Sequence, residues 1–235
     1  MEYMSAREVT NKWGISQRRE AVLCSEQKIS EVAMGENMRL IPTTAEKTID
    51  ARSIPYSGSG EKKAKPFLKW AGGKGQLICE IEKYYPFSDG KITKYAEPFV
   101  GGGAVLFDIL SRYDLDEVYI SDINVELINT YRIIRDNVDE LTALLYIVQN
   151  EFVPMDTEHR KKYYMEKRER FNDLKSNGNE SVNVEKAALM IFLNKTCFNG
   201  LFRVNKKGMF NVPMGSYKNP CICDELNLRT VSEKL

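Results

Sequence analysis

The 235 residues predict an α/β fold: a doubly wound sheet, incomplete at its C-terminal end, joined to a mostly helical segment and preceded by a small helical unit. Three observations carry this. Residues 91–135 run strand, glycine loop, helix, strand, acid, helix, the opening of a parallel sheet with helices packed on it. From Glu140 onward the apolar spacing is helical rather than alternating. Between the two units, residues 53–65 carry Ser-Gly-Ser-Gly and then Glu-Lys-Lys-Ala-Lys, a flexible, solvated linker.

Residues 1–52 form the first unit. Ser5-Ala6-Arg7-Glu8 reads as a capping box, with Ser5 as N-cap and Glu8 three positions later, opening a helix to about Trp13. Gly14 breaks that helix, and Ser16 is the N-cap of a second, from Gln17 to about Ser25. Two short helices joined by a glycine turn make a helix-turn-helix. Lys28 to Pro42 suits a hairpin or wing around Gly35. The unit resembles the small winged helix-turn-helix modules of the excisionase and MerR type, which implies that Arg18 and Arg19 meet DNA. A helical pair that only mediates protein contacts is the alternative.

After the linker, Lys91 to Phe99 suits a buried strand leading into Gly101-Gly102-Gly103. Ala104 to Arg112 suits a helix, and Glu117 to Ser121 a second strand ending at Asp122. Val125 to Arg135 places Leu127, Ile128, Tyr131 and Ile134 at helical spacing. Helices are expected near 140–152, 158–176 and 184–196, the middle one highly charged. Gly200 to Pro220 is loop or hairpin material, with Gly208 and Gly215 at turns.

Apolar residues make up 43%, enough for a real core. No apolar run approaches the length of a transmembrane helix, and the N-terminus lacks a signal-peptide pattern. Five scattered cysteines read as reduced thiols in a cytoplasmic protein. With one histidine, His159, and only Ile222 between Cys221 and Cys223, no metal site is expected. The net charge of +1 says little, but its distribution says more. From Lys186 to Cys223 there are six basic residues and no acidic one. Such a stretch either attracts polyanions or is a solvated face whose acids lie elsewhere in space.

The loop Glu97-Pro98-Phe99-Val100-Gly101-Gly102-Gly103 lies between strand and helix, where glycine lets a ligand approach the backbone. Asp122, at the end of the next strand, can accept hydrogen bonds from ribose hydroxyls. Together they describe a nucleoside-cofactor site without separating NAD from S-adenosylmethionine. Leu106 stands where a dinucleotide fingerprint has its third glycine, which counts against a pyrophosphate ligand. Upstream, Phe67-Leu68-Lys69-Trp70-Ala71-Gly72-Gly73-Lys74 is not a phosphate-binding Walker loop, because Gly75 follows the lysine. Its ring, lysine and paired glycines could hold a carboxylate-bearing ligand, or form a turn over a buried tryptophan.

At this point a resemblance becomes specific. Phe67 to Lys74 resembles the opening motif of Dam-like (alpha-class) DNA adenine-N6 methyltransferases, and Glu97 to Gly103 resembles their cofactor loop. Ser121-Asp122-Ile123-Asn124, followed by Leu127-Ile128, resembles their second strand end. Leu193-Asn194-Lys195, Phe198 to Arg203, Gly208 to Pro213 and Gly215 to Lys218 resemble their target-recognition segment. The resemblance covers about Pro66 to Leu235. It implies a methyltransferase (Rossmann-like) sheet with a cofactor half at 66–139, a recognition domain at 140–225, and the start of the remainder at 226–235. It also implies that Trp70, Lys74 and Asp122 contact S-adenosylmethionine, wrapped by Glu97 and Gly101 to Gly103. Leu201, Arg203, Pro213 and Tyr217 sit where family members contact bases of double-stranded DNA. Arg203 could pair with a guanine edge, and Lys206, Lys207 and Lys218 could neutralise phosphates. Leu201 and Tyr217 offer apolar and stacking surfaces for opened bases.

The family's chemistry depends on an Asp-Pro-Pro-Tyr tetrapeptide that aligns the adenine amine with the donor methyl. None of the eight prolines here is followed by another, so no catalytic residue is assigned. The expectation is a truncated chain, inactive alone, whose residues 66–235 fold poorly or take the missing half from a second polypeptide. The competing expectations are a non-catalytic DNA-binding remnant and an NAD-dependent enzyme. Leu106 and the Trp70–Lys74 motif argue against the latter. The N-terminal module itself departs from the simplest family members.

Overall fold

The computed structural model describes residues 3–13, 24, 29, 33–34, 39–45, 63–176 and 182–235. The chain divides into two compact units, Met1–Gly60 and Glu61–Leu235. In the first, β1 (Tyr3–Ser5) leads into α1 (Ala6–Trp13). The capping box forms: the Ser5 N–H donates to Glu8 Oε2 at 2.8 Å, and the Glu8 N–H to Ser5 Oγ at 3.4 Å. The Ser5 N–H and the Ser5 hydroxyl, both donating to Glu8 Oε2 at 2.8 Å, hold the Glu8 carboxyl below its ordinary range. Strand β2 (Ala33–Met34) pairs antiparallel with β3 (Arg39–Pro42), and β3 pairs with β1, giving the order β1-β3-β2. Val9, Trp13, Ile29 and Ile41 form this unit's small core. Apart from Cys24, the expected second helix lies outside the described residues, and so do Arg18 and Arg19.

In the second unit, the Lys74–Tyr84 stretch is a run of short helical turns around α2 (Ile78–Ile81), which sequence pattern does not reveal. Strand β4 (Lys94–Glu97) is joined by the glycine loop and α3 (Ala104–Leu110) to β5 (Glu117–Ile120), which lies parallel to it with Glu97 opposite Ile120. The expected strand is thus shorter than Lys91–Phe99. It is not buried either: its residues alternate exposed and half-buried. A central strand is buried when neighbours flank it and helices cover both faces, and β4 has one described neighbour.

Helix α4 (Val125–Asp136) begins at Asn124, whose Oδ1 accepts the Leu127 N–H at 3.0 Å. It is followed by α5 (Val138–Phe152), α6 (Thr157–Ser176), α7 (Val184–Thr196) and α8 (Glu225–Lys234). Helix α7 is apolar around most of its circumference, with Ala187 through Leu193 all buried, as a helix surrounded by others must be. It packs against α4, α5 and α6. Helix α6, despite its charge, buries Tyr164, Phe171 and Asn172, a single stripe at i, i+7 and i+8. No helix among the described residues is long and apolar enough to cross a membrane.

Candidate functional site

A cleft of about 230 Å³, partly open to solvent, lies at the C-terminal ends of β4 and β5, where open α/β sheets bind ligands. Trp70, Lys74, Glu97, Gly101, Gly103 and Asp122 all line it. Three stretches of chain, with Glu97 lying 23 positions after Lys74 and Asp122 lying 19 after Gly103, therefore meet at one place.

The first stretch turns at Trp70-Ala71-Gly72-Gly73. The Gly73 N–H donates to the Trp70 carbonyl at 3.2 Å, and Gly72 supplies the positive φ of 76° that the turn needs. Trp70 is not the buried ring of a simple turn. It is half-buried, lines the cleft and stacks on Phe202, with centroids 5.7 Å apart and planes 28° from parallel. In the second stretch, Gly101 takes φ 50°, and a Cβ there would meet Trp70 Cδ1 at 2.8 Å. At Gly103 (φ 75°) a Cβ would lie 2.5 Å from the Tyr131 hydroxyl. That hydroxyl donates to the Gly101 carbonyl at 3.0 Å, so the loop is held from below by a ring of α4. Leu106, in the fingerprint's third position, is fully buried in α3.

The third stretch is fixed by Asp122. Its Oδ2 accepts the Gly101 N–H at 3.0 Å and its Oδ1 the Asn124 N–H at 2.9 Å. Each oxygen keeps a second acceptor site for a ligand hydroxyl. Glu97 accepts the Tyr95 hydroxyl at 2.9 Å. Burial pushes the Glu97 carboxyl up from its ordinary range, opposed by Tyr95, the charge of Lys74 and the Leu106 N–H. Phe99, which lines the cleft, is 78% exposed, and Ile123, next to Asp122 in the chain, is 96% exposed, apolar surfaces that glycine and acid patterns do not announce. The glycine loop, the two carboxylates, the lysine and the apolar rim fit a nucleoside bearing a charged amino-acid tail. A Cβ at Gly101 would displace Trp70 and narrow this cradle.

The recognition stretch starts where α7 ends. Bridges pair Cys197 with Met214 and Val204 with Phe210, so residues 203–211 form a narrow hairpin. Its tip is the turn Asn205-Lys206-Lys207-Gly208, closed by Gly208 N–H to Asn205 carbonyl at 2.9 Å, with both lysines exposed. Asn172 holds the hairpin onto α6: its Oδ1 accepts the Phe210 N–H at 2.7 Å and its Nδ2 donates to the Phe210 carbonyl at 3.1 Å. Arg160 donates to the carbonyls of Tyr217 and Lys218 at 3.1 and 2.9 Å, fixing the following loop. Neither residue carries a local sequence signal, because each is defined by a partner 38 or more residues away.

Leu201 and Pro213 are exposed, and Tyr217 is half-buried under Lys69, whose Nζ is 3.2 Å from its hydroxyl. The Arg203 guanidinium is engaged by Asn211, with Nε to Oδ1 at 2.8 Å and a second bond to the carbonyl at 3.2 Å. The basic surface is narrower than the residue count suggests. Lys186 is only 8% exposed, and burial depresses the Lys195 pKa. Arg203, Lys206, Lys207 and Lys218 remain exposed.

Residues 70–235 match the D12 class N6 adenine-specific DNA methyltransferases, and the chain belongs to that family. It is 52% identical over 173 residues to the type II methyltransferase M.MjaIII of Methanocaldococcus jannaschii, covering 73% of this chain and 59% of the relative. It is 39% identical to the type II methyltransferase M1.LlaDCHI of Lactococcus lactis subsp. cremoris, over 73% of this chain and 55% of that one. It is 36% identical to a DNA adenine methylase of Vibrio cholerae, over 68% of this chain and 50% of that one. The chain thus spans between half and three-fifths of these relatives' lengths.

Proposed function

We propose that these residues are the cofactor-binding and target-recognition part of a site-specific DNA adenine-N6 methyltransferase that uses S-adenosylmethionine. The observation that carries the reading is the convergence of Trp70, Lys74, Glu97, Gly101, Gly103 and Asp122 on one cleft in a chain of this family. When bound, S-adenosylmethionine supplies a methyl group on a cationic sulfur. Asp122 accepts from the ribose hydroxyls, Lys74 faces the carboxylate of the amino-acid tail, and Glu97 balances the molecule's positive charge. The glycine loop admits the ligand to the backbone, and Trp70 closes one side.

On the DNA side, Leu201, Arg203, Pro213 and Tyr217 address base edges and opened bases, while Lys206, Lys207 and Lys218 neutralise phosphates. The N-terminal unit adds a helix-turn-helix contact through Arg18 and Arg19. Residues 66–139 are read as the cofactor half and 140–225 as the recognition domain. A second reading, a DNA-holding protein without catalysis, rests on the exposed Arg203, Lys206, Lys207 and Lys218, which need no cofactor to meet phosphates.

Calorimetric titration tests the first reading. S-adenosylhomocysteine is expected to bind one site per chain and NAD not to compete. Failure of S-adenosylhomocysteine to bind, with duplex DNA still bound, would leave the second reading.

A further inference from the structure

Asn194, on α7 and 3% exposed, does not line the cleft described above, yet its amide oxygen and both its amide donors are engaged by two different motifs. Its Oδ1 accepts the Lys69 N–H at 2.8 Å, and its Nδ2 donates to the Lys69 carbonyl at 2.8 Å and to the Gly200 carbonyl at 2.8 Å. The side chain treats Lys69 as a neighbouring strand would, exchanging both backbone bonds, and uses its remaining donor on the recognition segment. An acceptor beside two donors is required, so neither a carboxylate nor an isosteric leucine can replace it.

What lies beyond each clamped residue is functional under the reading above. Lys69 precedes Trp70, the wall of the cleft. Gly200, at φ 63° with Lys69 Cδ only 2.5 Å from where a Cβ would sit, precedes Leu201, Phe202 and Arg203. Phe202 in turn stacks on Trp70. One buried amide thus sets the spacing of two segments 131 residues apart, from Lys69 to Gly200.

We infer that Asn194 is a positioning residue that holds the cofactor-cleft wall and the start of the DNA-recognition segment in a common register. The inference rests on the proposed methyltransferase reading for the identity of the two ligands, but not for the clamp itself.

The test uses the full 235-residue chain with Trp13→Phe, which leaves Trp70 as the single indole emitter. Asn194→Ala, and isosteric Asn194→Asp should the alanine variant not fold, are compared with this parent. The expected result is an unchanged helical circular-dichroism signal and cooperative unfolding. Alongside it, acrylamide quenching of Trp70 should rise at least twofold, and affinity for S-adenosylhomocysteine and for duplex DNA should each weaken about tenfold. A folded variant with unchanged Trp70 quenching overturns the inference, as does one that melts earlier but binds both ligands within twofold of the parent. If the parent binds no S-adenosylhomocysteine, the proposed function fails on its own, and the quenching comparison still decides the role of Asn194.

Discussion

At Gly101 the backbone is left-handed and the indole of Trp70 occupies the space of a side chain. Gly101→Ala is expected to cost roughly 1–3 kcal/mol from the backbone alone and to weaken S-adenosylhomocysteine binding at least tenfold, measured by denaturant titration and calorimetry. Gly208 is the comparator: φ is again positive, at 75°, but nothing lies within 4 Å, so Gly208→Ala should strain the hairpin and leave the cleft intact. Glu97 gives a pH signature. Its folded-state pKa is raised by burial, so its contribution to stability is fully present below the unfolded pKa and is lost as pH rises through the folded value. Glu97→Gln should therefore melt higher than the parent at neutral pH, with the difference shrinking as pH falls from the raised folded-state pKa to the ordinary glutamate value. It should also bind the cofactor product more weakly. Equal melting temperatures across that range would contradict the burial of this carboxyl.

Among the elements, the hairpin at 203–211 is tied to α6 by the two bonds of Asn172. Asn172→Ala leaves a buried N–H and carbonyl unpaired and should destabilise by about 1–3 kcal/mol, read from the urea midpoint. DNA affinity should fall while S-adenosylhomocysteine binding persists. At the hairpin tip, Lys206 and Lys207 are exposed. Replacing both with alanine should flatten the slope of log affinity against log salt by roughly 0.9 per lysine on duplex DNA. An unchanged slope would move the phosphate contacts elsewhere. The helices were legible because their apolar spacing is long and regular, and Asn124 and Asn183 cap α4 and α7 through their side chains. The Lys74–Tyr84 turns were not, since none of their residues is buried and there is no apolar stripe to read.

For the molecule as a whole, the parallel sheet has two described strands and leaves Tyr119 exposed beside a groove in which Leu110, Val118, Ile120 and Ile128 are rimmed by Arg132, Arg135 and Lys234. An open edge next to apolar surface favours association. The 235-residue chain is expected to self-associate with rising concentration in light scattering. A monodisperse monomer across that concentration range would refute the expectation.

What the sequence determined by itself was the order of the motifs and the residues of the stretches around Trp70, Gly101 and Asp122 that line the cleft, because each is a short contiguous pattern. Six cleft residues could be named without coordinates for that reason. Only the tertiary structure decided which of the basic residues are at the surface, what holds each loop, and that Trp70 and Phe202 share a stack. Tyr131, Asn172, Arg160 and Asn194 each have at least one partner 30 or more residues away along the chain. Such a role belongs to packing rather than to local pattern: a buried polar side chain goes where the fold brings it an otherwise unpaired backbone group.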